Sequence, residues 1–206
     1  MSKIDFTKEL RQLYAPPTGD FAVVDVPPLH YLMLDGAGNP NTAPAYTAAV
    51  ETLYAIAYRA KFISKGELGR DYVVPPLEGL WWAEDMRSFT SARDKRSWSW
   101  TMMILLPEWI TPAIYARACE DVARKRAPAN LPALRMEAYC EGLAAQIMHI
   151  GPYDDEGPTL ARLHGEWLPQ HGYAENGKHH EIYLSDPRRA APSKMRTVLR
   201  QPIRAR

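Results

Sequence analysis

Cysteine is scarce in this chain, with two in 206 residues. That excludes a small secreted scaffold held together by disulfides. No stretch approaches the run of about 18 apolar residues that a membrane span requires. An excess of charge of either sign is also missing. The 25 basic and 24 acidic residues leave +1, without the basic surplus of a nucleic-acid-binding domain. The opening Met1-Ser2-Lys3-Ile4-Asp5 lacks the basic-then-apolar pattern of a secretory leader. There is no H-E-x-x-H, C-x-x-C or G-x-S-x-G motif, no phosphate loop and no dinucleotide fingerprint. His179 and His180 are strand neighbours and point apart, so they do not chelate together. These absences predict a reduced, cytoplasmic protein with no metal and no cofactor. Neither a membrane nor nucleic acid is an expected partner.

Hydrophobic residues make up 46% of the chain, enough for a packed core without staples. The unusual counts are 6 Trp and 18 Pro. Residues 4–14 read as an amphipathic helix, with Phe6, Leu10 and Leu13 on one face and Pro16-Pro17 as its stop. Extended runs follow at 21–26 and 30–34, the second ending in an Asp35-Gly36 turn. Thr42 is placed to cap a helix whose first turn holds Pro44. Residues 73–83 read as extended, 84–96 as a solvated loop, and 97–106 as a strand with Trp98, Trp100, Met102 and Ile104 on one face. A helix begins after Thr111 and ends in Arg124-Lys125-Arg126, which suits the negative end of its dipole. Runs 134–140 and 143–150 read as a hairpin turning at Glu141-Gly142. A polar loop, a helix marked by Leu160, Leu163 and Trp167, and strands at 178–185 and 196–203 complete the chain. Cys119 and Cys140 read as small buried hydrophobes. The C-terminal basic set, Arg188, Arg189, Lys194, Arg196, Arg200, Arg204 and Arg206, reads as a solvated face.

The two halves repeat one order of elements: two extended runs, a loop, a helix, a segment bearing a glutamate, and a final strand. Gly36 matches Gly151, and Glu78 falls opposite Glu181. The fold expected is α+β, with a β-β-α-β-β module used twice around a pseudo-two-fold axis. The modules occupy about 21–110 and 132–203 within a single domain, 1–206, with residues 111–127 as a helical linker. Their sheets either face one another or join, leaving a cleft near the axis.

Strand alternation puts His179, Glu181 and Tyr183 on one face, and His180, Ile182 and Leu184 on the other. The apolar set is expected to pack on the helices. Glu181 is then either part of an exposed polar face or a carboxylate in an aromatic pocket, suited to acid–base work or to holding a cation. Glu78 reads as a turn residue after Pro75-Pro76 or, through the repeat, as the second carboxylate of a pair. Trp81, Trp82, Trp98 and Trp100 read either as core or as the flat walls of a pocket, with polar edges from Tyr54, Tyr58, Tyr139 and Tyr153.

Three segments, His149-Ile150-Gly151-Pro152-Tyr153-Asp154-Asp155-Glu156, His180-Glu181-Ile182-Tyr183-Leu184-Ser185-Asp186-Pro187 and Thr197-Val198-Leu199-Arg200, resemble the GyrI-like small-molecule-binding superfamily. The element Pro76 to Trp81 is similar to that of its stand-alone branch. The resemblance runs from about Phe21 to Ile203. It implies two SHS2-type β-α-β-β modules with antiparallel sheets and a ligand cleft between them. In the family's regulators a buried glutamate helps bind cationic aromatic drugs, and one member shields DNA gyrase. Some stand-alone members open the cyclopropane of planar DNA-alkylating compounds by adding water. Carried over, the resemblance implies Glu181 and Glu78 as catalytic carboxylates. Trp81 or Trp82, Tyr153, Tyr183, Tyr139, Trp100 and Tyr54 are then the ligand-binding aromatics. The expected partner is a planar aromatic small molecule. The alternative is a non-catalytic module that sequesters aromatic or cationic compounds. The short segment before Phe21 leaves no room for a helix-turn-helix, which argues against direct DNA binding.

Overall fold

The computed structural model describes residues 3–84 and 95–206. Most of the loop expected at 84–96 therefore lies outside the described residues. The chain opens with two single-turn helices, α1 (Phe6–Glu9) and α2 (Arg11–Tyr14), where one helix is expected. Asp5 caps α1, and the backbone breaks at Leu10. Strands β1 (Ala22–Val26) and β2 (Leu29–Ala37) follow. Helix α3 (Pro44–Ile63) starts with Pro44 in its first turn. Its cap is Ala43 rather than Thr42, and Asn39 O accepts the amides of both. The helix runs into one wide turn, Ser64–Leu68, that stops at Gly69. Then come β3 (Leu77–Trp82), β4 (Ser99–Leu106) and α4 (Pro112–Arg126), the last capped by the Thr111 hydroxyl. The second half contains β5 (Arg135–Tyr139), β6 (Gly142–Ile150), α5 (Gly157–Arg162), α6 (Leu168–Gln170), β7 (Tyr173–Glu175), β8 (His179–Tyr183) and β9 (Arg196–Ala205).

The strands form one antiparallel sheet in the order β1-β6-β9-β8-β3-β4-β2-β5, with β7 also paired to β9. The two modules thus join, through β3 and β8. Each also lends an outer strand to the other: β1 pairs with β6, and β5 with β2. The segments around Glu141-Gly142 are therefore not a hairpin, because β5 and β6 lie near opposite edges. Two residues link β1 to β2, and two link β5 to β6. Such a link spans at most about 11 Å. The edges must therefore approach each other, and the sheet curls.

Curling gives the sheet two different faces. The inner face encloses Val26, Tyr31, Met33, Leu80, Met103, Leu105, Ala144, Met148, Ile182 and Val198, closed off by Leu13 and Tyr14 of α2. The outer face carries both long helical segments. Leu53, Ile56, Ala57 and Ala60 of α3 pack on Trp81, Trp100 and Met102. Leu160, Leu163, Trp167 and Leu168 pack on Ala145, Ile147 and Leu199. The apolar set of β8 thus meets the N-terminal helices, while the long helices flank the face that carries Glu181. Cys140 is exposed in the β5–β6 link and Cys119 is half-buried on α4, so the expectation of two buried thiols holds for neither in full.

Gly36 corrects another expectation. It is not a turn residue but a β2 residue paired with Trp100. A Cβ built there would lie 2.1 Å from the Trp100 ring. The position therefore needs a bare backbone, so that a fully buried indole can lie across the strand. Gly36→Ala is expected to lower stability by about 3 kcal/mol through overpacking. Denaturant unfolding of the two proteins would measure it, and an unchanged midpoint would contradict this account.

Candidate active site

The β3–β8 register decides what faces the cleft. Gly79 pairs with Glu181, Trp81 with His179 and Leu77 with Tyr183. Side chains directly opposite one another share a face. This set points outward, into a cleft of about 2070 Å³ between the two helical segments. Tyr46, Tyr54, Trp81, Trp98, Tyr153, Glu156, Glu181 and Tyr183 line it. Gly79 makes room at its floor, since a Cβ there would come within 2.8 Å of the Trp81 indole nitrogen.

The aromatic walls are built by contacts between rings. Tyr46 stacks on Trp81 at 6.3 Å, Trp98 meets Trp81 edge-on at 5.6 Å, and Tyr153 meets Tyr183 edge-on at 5.5 Å. Polar edges are aligned by a short chain of hydrogen bonds. Trp81 Nε1 donates to the Tyr183 hydroxyl at 2.9 Å, and that hydroxyl donates to Glu181 Oε2 at 2.8 Å. Such a chain fixes the Glu181 carboxylate by one oxygen, Oε2, and leaves Oε1 outside it.

Glu156 supplies a second carboxyl group. It sits at the turn entering α5, is only 5% exposed, and its Oε1 has no hydrogen-bond partner. Burial, then the charge of Glu181, push its pKa well above the usual carboxyl range. Two carboxyl groups in one cleft with unlike environments can hold one proton between them. This is the arrangement that divides acid and base roles. Burial, followed by the charges of Glu156 and Glu181, also raises Tyr153 to about 12, so its hydroxyl stays a donor.

Of the residues singled out in the sequence, Glu181, Trp81, Tyr183, Tyr153 and Tyr54 meet at the cleft. Trp100 does not line it. It is fully buried beneath, edge-on to Tyr46 at 5.4 Å. Trp82 turns to the other face of β3, where Lys178 Nζ lies 3.3 Å from its ring centre. Tyr139 packs at the margin of the inner core. Trp98, expected as core or as a pocket wall, also lines the cleft, whereas Tyr46 and Glu156 are lining residues to which the sequence assigned no role. The spacing of α3 and the glutamate ending the Gly-Pro-Tyr loop were the available signals.

Glu78 is placed far from that chemistry. It pairs with Ile182 rather than Glu181, and so points to the inner face. There it is fully buried. Its Oε1 accepts from the Tyr14 hydroxyl at 2.7 Å, and its Oε2 lies 3.0 Å from His180 Nε2. The other ring nitrogen of His180 is 3.0 Å from both oxygens of Glu141. Arg200 Nη1 donates to Glu141 at 3.0 Å, and Arg200 also donates to Gln146 Oε1 and to the carbonyl of Leu13. Arg200 is thus buried and paired, not part of a solvated basic face. Burial alone would lower the pKa of His180, but Glu141 and Glu78 raise it to about 9. Burial likewise works against Glu141, yet His180 and Arg200 hold it down to about 2. Histidine therefore carries its proton at neutral pH, and two cations balance two anions. Tyr14, Leu13 and Gln12 tie the N-terminal helices to this cluster.

The description of a GyrI-like small-molecule-binding domain matches residues 20–204. The chain belongs to the GyrI-like family. An uncharacterized conserved protein of Listeria innocua is 38% identical, with a TM-score of 0.89, over 98% of this chain and 100% of that one. A hydrolase from Listeria innocua is 36% identical, with a TM-score of 0.84 and the same coverage. The EcmrR C-terminal domain shares the fold at 10% identity, with a TM-score of 0.56 over 90% of this chain and 98% of that domain. Among proteins with a curated description, none matches. As a GyrI-like protein the chain has an α+β architecture built on a large antiparallel sheet. Among its described residues, no helix is long and apolar enough to cross a membrane.

The inner cluster predicts a pH dependence of stability. The proton of His180 is bound more tightly in the folded than in the unfolded chain, about 9 against 6.5. Its contribution is fully present below about pH 6.5 and is lost as pH rises through about 9. The loss is on the order of 3 kcal/mol. Urea unfolding between pH 6 and 10 would measure it. His180→Gln should lower stability at neutral pH and flatten the alkaline slope, and a wild-type curve already flat across that range would refute the assignment.

Proposed function

We propose that this protein is a cytoplasmic hydrolase that opens the cyclopropane of planar, electrophilic DNA-alkylating compounds by adding water. The observation that carries the reading is a pair of carboxyl groups, Glu181 and Glu156, in one aromatic-walled cleft, with Glu156 pushed toward its protonated form. The likeness to a Listeria hydrolase over nearly the whole chain supports it.

A cyclopropane conjugated to a dienone carbonyl opens when that oxygen gains a proton, because the ring beneath becomes an aromatic phenol. Glu156 is the proton donor to the carbonyl oxygen. Glu181 takes a proton from a water molecule, whose oxygen bonds to the cyclopropane carbon as the carbon–carbon bond breaks. The electron pair released enters the new phenol ring. Tyr183 and Trp81 hold Glu181 in place by their hydrogen bonds. The Tyr46, Trp81 and Trp98 rings clamp the flat ligand, and that fixed approach supplies the proximity term. Glu78, expected as the second carboxylate, holds the inner cluster together in this reading and does not touch the ligand.

A second reading has the same cleft hold an aromatic cation without turnover, with Glu181 as counter-charge and the indole faces as cation–π partners. The test is incubation with a cyclopropane-bearing alkylator, followed by mass spectrometry. Catalytic appearance of a product heavier by one water is the expected outcome. Unchanged compound that still raises the melting temperature supports the binding module and sinks the hydrolase.

Two further outcomes follow. Glu181→Gln should reduce kcat by about 100-fold to 10,000-fold with KM little changed, as loss of a general base does. The rate should also fall as pH rises through the raised pKa of Glu156, since the donor must be protonated. Glu156→Gln should abolish that alkaline limb along with most of the rate. A pH–rate profile of the three proteins would check both.

A further inference from the structure

Behind Glu181 the outer face continues into buried polar groups that lack partners. His179 is 4% exposed, and neither of its ring nitrogens has a hydrogen-bond partner. Its Nε2 lies 3.6 Å from Glu181 Oε1, the oxygen that Tyr183 leaves free. That gap is just beyond hydrogen-bond reach, and catalytic contacts in a ligand-free site commonly tighten on binding. Gln201 Oε1, on β9 next to Arg200, the partner of His180, is also buried without a partner. Buried polar atoms are seldom left unsatisfied without a reason.

The groups beyond His179 lead outward. Glu175 on β7 is held below the usual carboxyl range first by His164 and then also by the charge of His179. Its Oε1 is 2.7 Å from His164 Nδ1, and its side chain is 45% exposed. Glu175 stands opposite Ile203 of β9 and Glu181 opposite Leu199, so the two carboxylates lie on the same face of the sheet with His179 between them in sequence, and no hydrogen bond joins His179 to Glu175.

We propose that His179 is a relay residue that returns Glu181 to its carboxylate form from behind, while product still fills the cleft. This rests on the hydrolase reading above. After water attack Glu181 bears the proton taken from water, and Glu156 has lost its own to the carbonyl oxygen. The Glu181 proton passes to His179 Nε2, the proton on Nδ1 leaves for solvent on the Glu175 side, and the ring returns to its Nδ1–H tautomer before the next turnover. Glu156 regains a proton from solvent when product departs. One water is consumed and no net proton is released. His179 never touches the ligand, so it is a positioning and relay group rather than a catalytic residue.

Two measurements decide it. The first follows the His179 imidazole by nitrogen-15 NMR across pH, in the wild type and in Glu181→Gln. Removing the carboxylate should lower the His179 midpoint by about one pH unit, as loss of an adjacent anion does. An unmoved midpoint overturns the proposal. The second compares His179→Gln with wild type on a cyclopropane alkylator. The first turnover should run at the wild-type rate, while steady-state kcat falls by about tenfold or more with KM unchanged. Added imidazole should restore it. An equal slowing of first and later turnovers, or no slowing at all, overturns the relay. If the wild-type protein opens no cyclopropane, it is the hydrolase reading that fails. The titration then alone decides whether His179 and Glu181 are coupled, as it does if His179→Gln does not fold.

Discussion

The pairing of β3 with β8 is the contact on which the rest of this molecule depends. Among the described residues it is the strand pair that joins the central strands of the two modules, and its register sets the content of both faces. A slip of one residue would exchange every side chain between them. Glu181 would then enter the inner core, and His180 would face solvent. The register is held from inside. His180 on β8 bridges Glu78 on β3 and Glu141 ahead of β6, and Arg200 on β9 closes the cluster. Removing any one of these ions would leave another buried without its partner, which costs far more than the pair contributes.

That arrangement links the two sides of the sheet through alternate residues of one strand. His179, Glu181 and Tyr183 work on the outer face, and His180 and Ile182 lock the inner one. The cleft therefore has a rigid floor. The helical segments on either side of it pack against separate hydrophobic clusters. In the proposed hydrolase, that rigidity would serve Glu181 as general base, because such a base must reach its water within hydrogen-bond distance.

Curling of the sheet follows from two short links, and it gives the N-terminal helices their role. They close the open end of the inner core and are bound there by backbone carbonyls at Gln12 and Leu13 and by the Tyr14 hydroxyl. Although the family match begins at residue 20, the preceding segment is built into the core of this chain.

Alternation in β8, the amphipathic helices, the doubled order of elements and the Gly-Pro-Tyr and His-Glu-Ile-Tyr segments were all legible in the sequence. They rest on local periodicity, which a linear pattern carries. Glu181 and its aromatic company could thus be named from residue order alone. The second carboxylate could not. Glu78 matched Glu181 in the repeat, yet a half-turn of strand alternation sends it inward, and only the register between β3 and β8 reveals this. The same applies to Trp82, to Arg200 and to the absent hairpin at Glu141-Gly142. Each depends on which strands pair across the sheet, and long-range pairing leaves no mark in local spacing. Glu156 became a candidate only when folding brought its loop beside β8, because its raised pKa comes from burial and from a neighbour 25 residues away in sequence.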